Sequence, residues 1–112
     1  MKIQEFQALI EKIYLDRDSA RGIEGTHMWF AEEVGELTRA LRRGDNHENL
    51  EEEFADVLAW LSTMASMSGV DLAEAAAKKY ADGCPGCNAV PCACGEKKNE
   101  ERPVASPLDE QC

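Results

Sequence analysis

Apolar residues recur at intervals of three and four positions along most of this 112-residue chain. The spacing begins with Ile3, Phe6, Ile10, Ile13 and Tyr14, and it places such residues on one face of an α-helix. No window alternates apolar and polar residues with a period of two, so strands are not expected. The sequence therefore predicts an all-α fold.

Helix-capping residues divide this pattern into four helices joined by short turns, which predicts a bundle of antiparallel neighbours. The first helix is expected over residues of about 2 to 18, followed by a break at residues 21–25. The second helix is expected to have Thr26 as its N-cap and to end before Gly44. The third is expected to be capped by Asp45 or Asn46 and to end before Ser68-Gly69. A capping box of Asp71 and Glu74 is expected to open a fourth helix that runs to about Ala81.

Charge and length exclude several classes of protein. The chain has 22 acidic and 12 basic residues and a formal net charge of -10, which disfavours a nucleic-acid polymer or an anionic membrane as partner. The longest run without charge, from Val57 to Val70, is shorter than the roughly 20 residues that span a bilayer. The N-terminus lacks the apolar core of a signal peptide, so a cytoplasmic location is expected.

Two pairs of acids lie inside the apolar stripes of neighbouring helices. Glu33 and Glu36 share a face of the second helix, and Glu53 and Asp56 share a face of the third. Four carboxylates at one helix interface repel one another and are costly to bury unless a cation joins them. Because all-oxygen ligation suits Mg²⁺ or Mn²⁺, the four residues are predicted to hold such a metal.

The neighbouring polar residues are weaker candidates for this site. Glu32 lies at the edge of the stripe, whereas Glu51 and Glu52 suit the positive end of a helix dipole. Neither His27 nor His47 has the Glu-x-x-His spacing of di-iron bundles. The simplest alternative is that the acids are ordinary solvated residues. This alternative is less attractive because two such pairs lie on the apolar stripes of adjacent helices.

The order Glu32-Glu33-x-x-Glu36, sixteen further residues, and then Glu53-x-x-Asp56 resembles the EExxE…ExxD motif of the MazG-like all-α nucleotide pyrophosphohydrolases. The similarity covers about residues 1–82 and includes the flanking words EEVGEL and EEFADVLAW. It implies hydrolysis of a nucleoside triphosphate, ribo or deoxy, to the monophosphate and pyrophosphate by attack of a metal-activated water. It also implies Mg²⁺ ligation by Glu33, Glu36, Glu53 and Asp56, and assembly as a homodimer or homotetramer. Glu32 could orient or deprotonate the water.

Four further residues are candidates for substrate binding. Trp29 and Trp60 lie on the acidic stripes and could stack on a base, although packing in the core is the favoured role for both. Lys78 and Lys79 could contact phosphate, or could only complement the dipole at a helix C-terminus.

A cysteine-rich segment, CPGCNAVPCAC, follows the helices within residues 83–95. Cys84, Cys87, Cys92 and Cys94 match tetrahedral Zn²⁺ ligation in a zinc-knuckle-like element, a closed structural site. Disulfides, a redox switch or loose thiols are the alternatives. Residues 96–112 are polar and expected to be disordered, with Cys112 an unpaired thiol.

Two functions of different classes are consistent with these patterns. The favoured one is a Mg²⁺-dependent nucleotide pyrophosphohydrolase with a structural Zn²⁺. The alternative is a non-catalytic, zinc-stabilised adaptor whose acidic helices bind a protein partner.

Overall fold

The computed structural model describes residues 1–95, so the predictions for residues 96–112 and Cys112 lie outside the described residues. Four helices follow one another: α1 (Ile3–Arg21), α2 (Ile23–Arg43), α3 (His47–Met67) and α4 (Leu72–Tyr80). Residues 1–95 contain no strand. The predicted all-α class with four helices is confirmed.

The junction between α1 and α2 differs from the prediction. α1 continues to Arg21, and α2 begins at Ile23, so Gly22 alone separates them. Gly22 has a φ of 92°, which a residue with a Cβ rarely adopts. The prediction of Thr26 as the N-cap of α2 is wrong, because Thr26 lies inside the helix and is fully buried. Its side chain packs in the interior instead of capping a helix end.

The boundaries between α2 and α3 follow the prediction. Gly44 is the left-handed C-cap of α2, with a φ of 63°. Asn46 is the N-cap of α3, and its Oδ1 accepts a hydrogen bond from the Asn49 backbone N–H at 3.1 Å. Such a cap satisfies a backbone donor that has no partner within the helix. α3 ends at Met67, immediately before Ser68-Gly69.

The chain divides into two compact units. The first, Met1–Ala73, contains α1, α2 and α3, and α3 packs against both of the other helices. The second unit begins at Glu74 and includes most of α4 and the cysteine-rich segment. The domain division predicted after residue 82 remains a prediction.

A buried glutamine organises one end of the first unit. The Gln7 side chain on α1 donates hydrogen bonds to the Val70 carbonyl at 2.8 Å and to Ser66 Oγ at 3.0 Å. Its Oε1 accepts a hydrogen bond from the Leu72 backbone N–H at 2.9 Å. Because these partners lie in the last turn of α3, in the turn that follows it and at Leu72, Gln7 holds this turn in place.

The core of the first unit is small. Ile10, Ala40 and Ala65 are its buried apolar residues, whereas large apolar side chains elsewhere remain open to solvent. Met28 is 72% exposed, Leu41 54% and Phe54 52%. One chain therefore leaves apolar helix surface uncovered. Separately, none of the helices within residues 1–95 combines the length and the apolar character that crossing a bilayer requires.

Candidate metal centre and active site

Three carboxylates from two helices converge in the first unit. Glu33 comes from α2, whereas Glu53 and Asp56 are three residues apart on α3 and so share one face. One oxygen from each of the three lies within 4.8 Å of the others. The packing of α2 against α3 therefore assembles three of the four acids that the sequence predicts as metal ligands.

Two of these acids hold a buried oxygen without a hydrogen-bond partner. Glu33 Oε2 and Glu53 Oε2 are both inaccessible to solvent and unsatisfied among the described residues. A buried polar atom left without a partner is costly, and a carboxylate oxygen more so. These two atoms are therefore the strongest structural indication of a cation-binding position.

The pKa values of the same two acids are displaced upward. Burial, followed by the neighbouring Glu36, raises the pKa of Glu33 from 4.5 to about 7. Burial also raises the pKa of Glu53, and the negative charges of Glu36 and Asp56 add to the effect. Both shifts arise because the chain concentrates acids where few counter-charges reach them. A divalent cation would reverse this effect by favouring the ionised forms.

Glu36 completes the acidic group. Its presence raises the pKa values of both Glu33 and Glu53, so it belongs to the same cluster of acids. It is not one of the three residues whose oxygens meet within 4.8 Å. Glu36 is thus placed to bind the metal or to hold the other two carboxylates in position.

The donor set fits a hard divalent cation. All the converging atoms are carboxylate oxygens, and neither histidine nor cysteine is among the grouped ligands. Mg²⁺ and Mn²⁺ prefer such oxygen donors, and Mg²⁺ commonly uses a few carboxylates together with water and phosphate. The unsatisfied oxygens of Glu33 and Glu53 are available for this ligation.

The other acids nearby lie on the surface. Glu32 is exposed on α2, adjacent in sequence to Glu33. Glu51 is exposed in the first turns of α3, where its carboxylate lies 2.9 Å from Nε2 of His47. Glu52 is exposed as well. The catalytic role of Glu32 remains a prediction.

A cavity of about 200 Å³ adjoins the carboxylates through Asp56, which forms part of its wall. The remaining lining residues come from α1 and α3: Tyr14, Arg17, Asp18, Arg21, Ala59, Trp60 and Thr63. The Arg21 guanidinium lies 5.4 Å from the centre of the Trp60 ring, a cation–π distance. Its Nη1 donates a hydrogen bond of 2.8 Å to Oδ1 of the buried Asp18, which fixes its position.

The sequence patterns predicted no site residue on α1. Arg17 and Arg21 nevertheless line the cavity from this helix. A signal was present, because Tyr14, Arg17, Asp18 and Arg21 recur at intervals of three and four and hence share a face of α1. Only the packing of α1 against α3 shows that this face lines a cavity beside the acids.

The two tryptophans predicted as substrate-binding residues contact each other. Their rings are nearly parallel, with 6.2 Å between centroids and 14° between planes. Trp60 is half-buried, and Trp29 is 47% exposed. The pair thus packs across α2 and α3, with part of its aromatic surface left open. A role in stacking on a base remains a prediction.

The remaining predicted site residues belong to the second unit. Lys78 and Lys79 are exposed in the last turn of α4, and Lys79 Nζ lies 5.7 Å from the centre of the Tyr80 ring. The sulfurs of Cys84, Cys87, Cys92 and Cys94 form a group within which all atoms lie less than 4.8 Å apart. The cysteine segment is thus gathered, as a zinc-knuckle-like element requires.

Among residues 1–95, helices bring together a group of carboxylates that could hold a metal ion. The family profile of the MazG nucleotide pyrophosphohydrolase domain matches residues 21–87, more than half of the 112-residue chain. The chain belongs to this family, which confirms the resemblance noted in the sequence. Among curated proteins, no significant match was found.

Proposed function

We propose that this chain is a Mg²⁺-dependent nucleoside triphosphate pyrophosphohydrolase. In this reaction water cleaves an NTP or dNTP to the nucleoside monophosphate and pyrophosphate. Membership of the MazG family supports the general activity. The metal, the substrates and the roles of individual residues are part of the proposal.

One observation carries the proposal: carboxylate oxygens of Glu33, Glu53 and Asp56 converge within 4.8 Å, and two of these acids retain buried, unsatisfied oxygens. A purely structural role would favour hydrogen-bonded or solvated acids at these positions. An adaptor surface would likewise display its acids to solvent, where a basic partner could reach them. The buried, unsatisfied oxygens of Glu33 and Glu53 suit a metal centre better than either alternative.

Glu33, Glu36, Glu53 and Asp56 would hold the metal. When bound, Mg²⁺ supplies positive charge that offsets the phosphate oxygens and acidifies water for attack on phosphorus. Glu32 precedes Glu33 on α2 and, in this proposal, accepts a proton from the attacking water.

The cavity beside Asp56 would receive part of the substrate. Arg17 and Arg21 on its wall offer guanidinium groups that suit phosphate oxygens, in a protein that is otherwise strongly acidic. Trp60 on the same wall offers an aromatic face for a base, with Trp29 packed against it. Lys78 and Lys79 are secondary candidates for phosphate contacts.

Assembly belongs to the same proposal. The exposed side chains of Met28, Leu41 and Phe54 on α2 and α3 suit burial between copies of the chain, as a dimer or tetramer. The proposed location is the cytoplasm, where nucleoside triphosphates are abundant.

A turnover assay with matched variants tests the proposal. The purified chain is incubated with a panel of ribo- and deoxynucleoside triphosphates and Mg²⁺, and pyrophosphate release is followed. We expect Glu53→Gln to reduce kcat at least about 100-fold, because it removes a charge that positions the metal. Glu51→Gln is the control, since it makes the same change at an exposed position two residues away on α3.

Two results would contradict the catalytic function. One is an absence of turnover with every triphosphate tested, and the other is a Glu53→Gln variant that is as active as the parent. A protein partner that binds equally well without Mg²⁺, together with no turnover, would favour the adaptor alternative.

A further inference from the structure

The four cysteine sulfurs of the second unit are spaced like the ligands of a tetrahedral metal. A metal with bonds of about 2.3 Å to four sulfurs requires about 3.8 Å between each pair of sulfurs. Cys84 Sγ and Cys94 Sγ are 4.0 Å apart, and all four sulfurs lie within 4.8 Å of one another. The segment therefore approaches metal-binding geometry over all four positions.

The backbone of the segment is folded into a tight turn that brings the first two sulfurs together. The Cys87 and Asn88 backbone N–H groups both donate to the Cys84 carbonyl, at 3.2 and 2.6 Å, and the Cys84 N–H donates to the Ala89 carbonyl at 3.0 Å. Asn88 has a positive φ of 56°. These backbone hydrogen bonds hold the loop in its folded conformation.

Gly83 makes this close approach possible. Its φ is 103°, and a Cβ at this position would lie 2.8 Å from the Ala89 carbonyl oxygen. Because such a contact is too short for a real side chain, glycine is required where the two arms of the loop meet.

Backbone N–H groups also point at the sulfurs. Ala93 N–H donates to Cys87 Sγ at 3.3 Å, and Cys94 N–H donates to Cys92 Sγ at 3.4 Å. Donors in these positions stabilise negative charge on sulfur, which is the form that binds metal. Each cysteine pair thus contains one sulfur that accepts a backbone hydrogen bond.

The segment has little else to hold it together. α4, which leads into it, has no buried residue, and Val90 within the loop is 85% exposed. A loop with so little apolar burial commonly depends on a cross-link for its structure. Four converging sulfurs offer such a cross-link among residues 83–95.

We propose that Cys84, Cys87, Cys92 and Cys94 bind one structural Zn²⁺. Four sulfur ligands complete a tetrahedral shell and leave no open position, so the site organises the loop and performs no chemistry. Thiolates are soft ligands and exclude the Mg²⁺ that suits the carboxylates. The chain therefore separates two metals by ligand type, with oxygen ligands in the first unit and sulfur ligands in the second.

Zn²⁺ binding by the four cysteines is proposed for the reduced chain. Cys94 is in a disulfide. A disulfide sulfur cannot act as a thiolate ligand, so Zn²⁺ binding by all four residues requires reduction of Cys94. The test must accordingly be made with and without a thiol-free reductant.

Metal analysis of the full chain tests the site. The protein is purified with reductant and without chelator, and its metals are measured by mass spectrometry. We expect about one zinc per chain in the parent, and about a fivefold or greater loss in Cys87→Ser, whose hydroxyl is a poor ligand. Cys112→Ser is the matched control and keeps its zinc. Air oxidation without reductant should lower the zinc content of the parent.

Independent readouts keep this result separate from the proposed activity. Glu53→Gln should lose turnover and keep zinc, so failure of either proposal leaves the other standing. If Cys87→Ser does not fold, Co²⁺ is titrated into metal-stripped, reduced parent protein, where thiolate-to-cobalt charge-transfer bands and tetrahedral d–d bands are expected. Absence of zinc from the reduced parent, iron in its place, or a Co²⁺ spectrum without thiolate bands would overturn the inference.

Discussion

Replacing Glu33 by glutamine should stabilise the metal-free protein while it removes activity. The pKa of Glu33 is raised from 4.5 to about 7, first of all by burial. For an acid whose pKa is raised in the folded state, ionisation opposes folding. The cost is absent below pH 4.5, grows between pH 4.5 and 7, and is complete above pH 7. Glutamine keeps the shape of the side chain without the charge.

The magnitude follows from the two pKa values. A difference of 7 minus 4.5, at about 1.4 kcal/mol per pH unit, gives an upper bound of about 3 kcal/mol. Glu33 is only partly buried, and its open side is screened by solvent. We therefore expect Glu33→Gln to raise the free energy of unfolding by about 1 to 2 kcal/mol at pH 8, or the Tm by about 5 to 10 °C.

Denaturation experiments at two pH values measure this effect. Parent and variant are unfolded with urea at pH 8 and pH 4.5, at one protein concentration and without added divalent cation. The control is Glu32→Gln, which changes an exposed neighbour on the same helix and should alter stability little. Added Mg²⁺ should stabilise the parent more than Glu33→Gln, because the variant has lost one ligand.

Two outcomes would refute this reasoning. The first is a Glu33→Gln variant no more stable than the parent at pH 8. The second is an equal gain at pH 4.5, where both side chains are uncharged in the folded protein and no electrostatic relief is available.

Three other substitutions give distinct outcomes. Arg21→Ala should raise KM about tenfold, because it removes a cation from the cavity wall. Arg42→Ala, at an exposed position, should leave KM unchanged. Both are measured by steady-state kinetics with a triphosphate that the parent protein hydrolyses. Asn46→Ala should lower the unfolding free energy by about 1 kcal/mol without changing kcat, and an unchanged urea midpoint would contradict the capping role. Gln7→Leu should cost about 1 to 3 kcal/mol because the Val70 carbonyl and the Leu72 N–H would lose their hydrogen bonds to Gln7, with Gln4→Leu at an exposed position as its control.

The carboxylate centre could be anticipated from the sequence because it depends on helical periodicity. Residues three apart on a helix share a face, so the pair on α3 was fixed by spacing alone. The same spacing predicted that Glu33 and Glu36 share a face of α2. The approach of the two helices decides which oxygens meet, and this brings Glu33 rather than Glu36 to the closest group. That choice depends on helix packing, which local spacing does not encode.

Thr26 and Arg21 show where local reasoning failed. Threonine has a high preference for N-cap positions, but α2 begins three residues earlier and the side chain of Thr26 is buried in the first unit. Arg21 ends α1 like any basic residue near a helix C-terminus. Its place beside Trp60 arises from packing of α1 on α3, a long-range contact that outweighs local preference.

The central claim is that the carboxylate centre hydrolyses nucleoside triphosphates with a divalent metal. Phosphorus NMR of a reaction containing the protein, a triphosphate and Mg²⁺ tests it most directly, since it identifies every phosphate product. Monophosphate and pyrophosphate should form in equal amounts, only in the presence of Mg²⁺ and not with Glu53→Gln. Unchanged triphosphates across the whole panel, or diphosphate with inorganic phosphate as the products, would contradict it.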